Sequence, residues 1–217
     1  MNHLPTVIVW SLLALALSAT QSVGAPARIA KDMKSIHPLL IGQLIPDAAV
    51  TGLDGKSYGL KQIVTEKPTV LVVYRGGWCP FCNLQLEQLS QIQGALAKSG
   101  WQIVGLSADP AVKLARATKD QKLTYRLFSD EAAEATSALG LAYEASLDAF
   151  GIQSKMDKWV ADRDPKLKGK TAALPVPAVY LIHRSGLVVY QYVNIDYSVR
   201  LSGEVLLTAA RAYAENG

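Results

Sequence analysis

The stretch from Thr69 to Lys98, TVLVVYRGGWCPFCNLQLEQLSQIQGALAK, constrains this chain most. Val70, Leu71, Val72, Val73 and Tyr74 form a β-branched and aromatic run of strand length. Gly76 and Gly77 let the backbone turn sharply after it. Cys79 and Cys82 follow, with Pro80 where a first helical residue would stand, a place where its missing N–H costs nothing. Leu86, Leu89, Ile92 and Leu96 then recur at helical spacing, and Gly100 is a natural stop. The stretch therefore predicts a buried strand, a tight turn, a Cys-x-x-Cys pair and a long amphipathic helix.

The spacing has a chemical meaning. Cys79 is expected at the helix N-cap and Cys82 inside the first turn. The unpaired N–H groups and the dipole at that end favour a thiolate over a thiol. The thiolate is the nucleophile of disulfide exchange, so a lowered pKa activates Cys79 at neutral pH. Trp78 is expected to shield one side of the pair, and the attacking sulfur is expected to be exposed enough to react.

These are the only two cysteines in 217 residues, half of which are hydrophobic, enough for one domain with a full core. A zinc site would need two more ligands, and His3, His37 and His183 are scattered, so no metal is expected. A purely structural disulfide would close too short a loop to add much stability. The formal charge of +4 comes without a dense Lys/Arg block and points to no nucleic-acid partner.

Residues 1–27 carry no Lys, Arg, Asp or Glu, and Val7 to Ala19 is an apolar run of signal-peptide length. Ala25-Pro26-Ala27 fits a small-x-small cleavage pattern. The expectation is a signal peptide over 1–27, with an uncleaved anchor as the alternative. Export to the periplasm or beyond would place the pair in an oxidising compartment. Residues 28–37 read as a lead-in and 38–217 as the globular domain.

Within that domain, Ala48–Leu53 and Lys56–Leu60 flank Asp54-Gly55 and predict a hairpin. Ile63–Lys67 reads as a short connection. Trp101–Leu106 completes a βαβ unit. Asp109-Pro110 reads as an N-cap and first residue of a helix running to about Gln121. Leu123, Tyr125 and Leu127 alternate like a short strand, and Asp130 can cap a helix reaching about Leu139. Tyr143–Thr171 is polar and reads as a solvated loop, or alternatively as a specificity loop over the site. Ala178–His183 and Leu187–Val193 form a second hairpin about Ser185-Gly186. Ser202–Ala214 closes the chain as a helix, with Val205, Leu206, Ala209, Ala210 and Tyr213 on one face.

This order resembles the thioredoxin-like fold, and within it the peroxiredoxin-like AhpC/TSA branch that carries Cys-x-x-Cys. The likeness rests on Pro46-Asp47, Asp54-Gly55, the block from Tyr74 to Cys82, the run from Pro177 to Ile182, and Ser185-Gly186. It spans about residues 38–215. The resemblance implies an α/β domain, a central mixed sheet flanked by helices, with an N-terminal β-hairpin extension. It also implies a cis proline facing the pair, at Val176-Pro177, with the residue before it meeting the substrate backbone. Two departures stand out. Peroxiredoxins proper look like Pro-x-x-x-Thr-x-x-Cys; Cys82 matches their peroxidatic cysteine, while Cys79 stands for the Thr and Arg75 for the Pro. Thioredoxins proper carry a buried Asp where Val73 stands here.

Three readings follow. In the first, the chain is a thiol–disulfide oxidoreductase in which Cys79 attacks and Cys82 resolves. In the second, it is a thiol peroxidase with Cys82 peroxidatic and Cys79 resolving. In the third, it is a binding module that keeps the fold. The supporting residues are Trp78, Pro80, Val176, Pro177 and Arg75, with Arg75 and Arg200 the cations whose place near the sulfurs sequence leaves open. No cofactor is expected; the partners are a disulfide, thiol or peroxide substrate and a redox partner that supplies or accepts electrons.

Overall fold

The computed structural model describes residues 28–145 and 172–214. The signal-peptide reading of residues 1–27 and the 146–171 part of the polar stretch lie outside the described residues.

A seven-stranded mixed sheet organises the domain. Its strands are β1 (Ala49–Gly52), β2 (Ser57–Gly59), β3 (Thr69–Tyr74), β4 (Gln102–Ser107), β5 (Arg126–Ser129), β8 (Ala178–Ile182) and β9 (Val188–Val193), in the order β2-β1-β5-β4-β3-β8-β9. Strands β3, β4 and β5 are parallel, and every other pairing is antiparallel. The predicted hairpin β1–β2 is therefore joined to the main sheet through β5. A separate ribbon pairs β6 (Ala142–Ala145) with β7 (Ala172–Pro175).

Every residue of β3 is buried, because helices cover both sheet faces. Val70, Val72 and Tyr74 point to one side, onto Leu86, Leu89 and Leu96 of α2 (Pro80–Lys98), Leu114 of α3 (Ala111–Asp120) and Leu206 of α5 (Gly203–Ala214). Leu71 and Val73 point to the other, onto Leu60, Ile63 and Val64 of α1 (Leu60–Thr65) and onto Ala135 of α4 (Glu134–Ala138). The alternation follows from the two-residue period of a strand. Among the described residues helix α2 is the longest; Leu86, Leu89 and Leu96 of its predicted stripe are buried and Ile92 partly so, and Gly100 at φ +83° follows its end.

Several local expectations are corrected. Residues 60–65, read partly as strand and partly as connection, form helix α1, whose apolar face is needed under the sheet. Helix α3 starts at Ala111, with Pro110 at the N-cap position and no side-chain cap, because the Asp109 carboxylate is used elsewhere. The strand expected from Leu123 begins only at Arg126. Asp130 does hold the start of α4, accepting from the N–H groups of Ala135 and Thr136, but the helix itself is confined to Glu134–Ala138. Tyr143–Ala145, taken as loop, belong to β6. On α5 only Leu206 and Ala210 are buried, while Val205 and Tyr213 face outward. No cis peptide bond occurs among the described residues, so Val176–Pro177 is trans, the form a prolyl bond prefers when nothing forces the other.

Candidate active site

The turn between β3 and α2 is built on Gly76, whose φ of +152° suits glycine, and whose α-carbon lies against the Trp78 indole and the Asp109 carboxylate. A side chain there would strike both. Asp109 is buried and accepts from the Gly77 N–H at 2.6 Å, tying this turn to the end of β4. Asn83 donates to the Gly77 carbonyl at 2.9 Å from the other side. The turn is thus clamped before the helix begins.

Cys79 then takes the N-cap position with Pro80 at the first helical residue, as the spacing predicts. Cys82 lies one turn in. Both cysteines are free thiols. The Cys79 pKa is pulled down from 9.0 to about 6. The largest cause is the Cys82 thiol donating to its sulfur; burial opposes this, while the Cys82 backbone N–H and the guanidiniums of Arg75 and Arg200 add to the lowering. Cys82 goes the other way: burial, then its interaction with the Cys79 sulfur, hold it protonated well above 9.0, with Arg200 opposing. The pair thus divides in direction, Cys79 shifted toward the thiolate and Cys82 toward the thiol.

Arg200 is the residue that sequence could not place. It lies 118 positions from Cys82, between β9 and α5. Its Nη2 donates to Cys82 Sγ at 3.2 Å and faces Cys79 Sγ at 3.8 Å. Its Nη1 donates to the Gln85 side-chain oxygen at 3.0 Å, so the buried Gln85, one turn beyond Cys82, fixes the guanidinium. Arg75 is 1% exposed and lies between two rings, 4.9 Å from the Trp78 centroid and 4.2 Å from that of Tyr197. Two cations therefore face the thiol pair, a setting that favours thiolate.

The other expected supporting residues divide. Trp78 is half-buried and packs on the core cluster that contains both cysteines. Pro80 occupies its expected place. Val176 and Pro177 are buried; Val176 packs with Tyr143 and Leu174, and its N–H donates to the Leu141 carbonyl at 2.9 Å. That N–H is spent inside the fold. The expected exposure of the attacking sulfur is also corrected: Cys79 is 1% exposed and Cys82 0%. Arg200 lies against both sulfurs, and Trp78 packs on the cluster that holds them. Sequence reasoning also missed Gln85 and Tyr197, and gave Asp109 to the start of α3 rather than to Gly77; only tertiary packing brings the three to the site. Among the described residues, no three His, Cys, Asp or Glu side chains gather as a metal site.

The AhpC/TSA family model matches residues 41–191. Peroxiredoxin bcp1 of Schizosaccharomyces pombe is 31% identical over 112 residues, which are 51% of this chain and 57% of that protein. The match thus spans little more than half the length of that relative. Thiol-disulfide oxidoreductase ResA of Bacillus anthracis is 22% identical over 163 residues, 75% of each chain. The structure of peroxidoxin BcpB from Mycobacterium tuberculosis superposes with a TM-score of 0.60 at 18% identity, covering 83% of this chain and 98% of that one, a likeness of fold. With the family model covering most of the domain, from before β1 into β9, the chain belongs to the AhpC/TSA family and has the peroxiredoxin-like, thioredoxin-type fold.

Proposed function

We propose that this protein is a thiol–disulfide oxidoreductase in which Cys79 attacks and Cys82 resolves. The observation that carries the reading is the geometry at the start of α2: Cys79 stands at the N-cap, where the Cys82 thiol and N–H lower its pKa, and Cys82 lies buried one turn in, where burial raises its own. The Cys79 thiolate attacks one sulfur of a substrate disulfide; that S–S bond breaks, and the departing thiolate takes a proton from solvent. The mixed disulfide removes the negative charge that held the Cys82 proton. Cys82 then loses its proton and attacks the Cys79 sulfur, which releases the second substrate thiol and leaves a Cys79–Cys82 disulfide. Run backward, the same steps oxidise a dithiol. A redox partner closes the cycle by supplying or accepting two electrons.

In an insulin-type reduction assay, Cys79→Ser abolishes activity and Cys82→Ser accumulates mixed disulfides with substrate. A wild-type protein that consumes peroxide and leaves disulfides untouched would overturn this order. One observation favours that second reading, a thiol peroxidase: the Arg200 guanidinium donates to Cys82, the cysteine that matches the peroxidatic position, at 3.2 Å. There Cys82→Ser abolishes peroxide consumption, while Cys79→Ser still allows one turnover.

We further propose that the chain is exported, on the strength of the apolar run Val7 to Ala19. Residues 1–27 fused to an alkaline phosphatase that is active only outside the cytoplasm give an active fusion; an inactive fusion rejects export.

A further inference from the structure

The segment leading into β1 carries an apolar tip that the thiol chemistry does not use. Leu40, Ile41 and Leu44 are 56%, 55% and 57% exposed, and Ile29 is 44% exposed. Apolar side chains exposed singly are ordinary, but a cluster of them marks a contact surface. These stand on a fixed backbone. Gln43 closes the turn: its N–H donates to the Leu40 carbonyl at 3.2 Å, and its side-chain oxygen accepts from the Leu40 N–H at 2.8 Å. The Gly42 N–H donates to the Val188 carbonyl and the Val188 N–H to the Gln43 carbonyl, both at 2.9 Å. The Ile45 N–H donates to the Gly186 carbonyl at 2.8 Å, and the Ile45 side chain is buried. The tip is thus pinned at the start of β9 and holds its three side chains outward.

The tip borders a groove of about 880 Å³. Leu40 and Ile29 line it together with Arg28 and Lys31, and no Asp or Glu among the described residues does. Lys34 is exposed on the same segment. The one acid nearby in the chain, Asp32, has its carboxylate taken by the Lys34 and Ser35 N–H groups and the Ser35 hydroxyl. Apolar side chains rimmed by cations match a bilayer with acidic headgroups, which offers hydrocarbon beneath a negative surface. The chain upstream points the same way. Residues 1–27 carry no Lys, Arg, Asp or Glu, and their apolar run ends at Ala19. The link from Ala19 to Arg28 spans at most roughly 30 Å, so a run held in a bilayer brings the Arg28 end of the domain to the bilayer surface. We propose that Leu40, Ile41 and Leu44, flanked by Arg28, Lys31 and Lys34, dock this protein on an anionic lipid bilayer. The groove residues Leu39 and Leu139 pack on the sheet face opposite to the one that carries Cys79 and Cys82. Docking therefore leaves the thiol pair on the other side of the sheet from the lipid. The inference depends neither on the thiol chemistry nor on which side of a membrane the domain lies.

Trypsin reads the docked face, because it cuts after Arg28 and Lys34 only where they are accessible. The full chain is made in a cell-free system in the presence of vesicles of mixed phosphatidylglycerol and phosphatidylcholine. A basic side chain at an anionic surface strengthens attachment about fivefold. The three together are expected to slow cleavage after Arg28 and Lys34 by at least about tenfold, and at most about a hundredfold, relative to vesicles of phosphatidylcholine alone. Cleavage after Lys56, 77% exposed between β1 and β2 at the far edge of the sheet from β9, keeps one rate on both. The Leu40→Ser/Ile41→Ser/Leu44→Ser variant changes only positions that are more than half exposed, so the core is untouched. It keeps residues 1–27 and is expected to lose the protection on the mixed vesicles. Equal cleavage on the two kinds of vesicle, or full protection of the triple variant, overturns the docking. Protection of Arg28 and Lys34 with no vesicle present would put a second copy or the upstream residues on this face, and overturns it as well.

Discussion

At the scale of single residues, two chemically identical side chains three positions apart have their pKa values pushed in opposite directions, Cys79 down by the Cys82 thiol and Cys82 up by burial. The order of the causes on Cys79 makes a prediction. The Cys82 thiol contributes most to lowering its pKa, and the guanidiniums come after it. The alkylation rate of wild-type protein with iodoacetamide should therefore rise with a midpoint near pH 6. Arg200→Met should move that midpoint up by roughly 1 pH unit, and Cys82→Ala should move it further. If Arg200→Met causes the larger change, the thiol donor is not the main stabiliser of the anion. The same logic explains Gln85. A buried amide that accepts from Arg200 holds the cation at 3.2 Å from one sulfur and 3.8 Å from the other, without a carboxylate that would compete for its charge.

At the scale of elements, the site stands on a turn rather than on a helix alone. Helix α2 presents Cys79 and Cys82, but Asp109 at the end of β4 and Asn83 in the first turn fix the loop that leads into it. Asp109 therefore does not cap α3, as a local reading of Asp-Pro would have it. Asp130 shows the opposite outcome, a buried carboxylate that serves its own helix. Burial raises its pKa, and its hydrogen bonds to the Ala135 and Thr136 N–H groups act against that rise without cancelling it. Asp130→Ala leaves those two N–H groups without their acceptor and should cost about 1–2 kcal/mol in urea unfolding. Asp130→Asn, which keeps one carbonyl oxygen, should cost less. Equal losses in the two variants would mean that the charge, and not the acceptor geometry, matters at α4.

For the whole molecule, the split ionisation ties stability to redox state. Between about pH 6 and the ordinary thiol value of 9.0, folded Cys79 has released a proton that the unfolded chain still holds. Stability of the dithiol form therefore climbs with pH across that window and is lost as pH falls through about 6. Above 9.0 the sign reverses: folded Cys82 keeps its proton while the unfolded chain gives it up, so stability declines. The disulfide form has neither group to titrate. Urea midpoints measured from pH 6 to 9 should rise more steeply in the reduced protein than in the oxidised one. Parallel curves would show that Cys79 is no more acidic folded than unfolded.

What the amino-acid order determined by itself is the set of elements with the strongest local spacing. The strand of β3, the turn at Gly76, the cysteine at the N-cap, the buried stripe of α2 and the two hairpins follow from periods of 2.0 and 3.6 residues and from the φ range that glycine permits. Tertiary structure decided what depends on residues far apart in the chain. Arg200 comes to the sulfurs from 118 positions away, Asp109 leaves its own helix for Gly77, and Val176 spends its N–H on Leu141. The same packing buried both sulfurs. A side chain's partner in the fold is set by which surfaces exclude water together, and no short-range pattern encodes that. The place of Cys79 at the helix start was therefore legible in the sequence, while the burial of its sulfur was not.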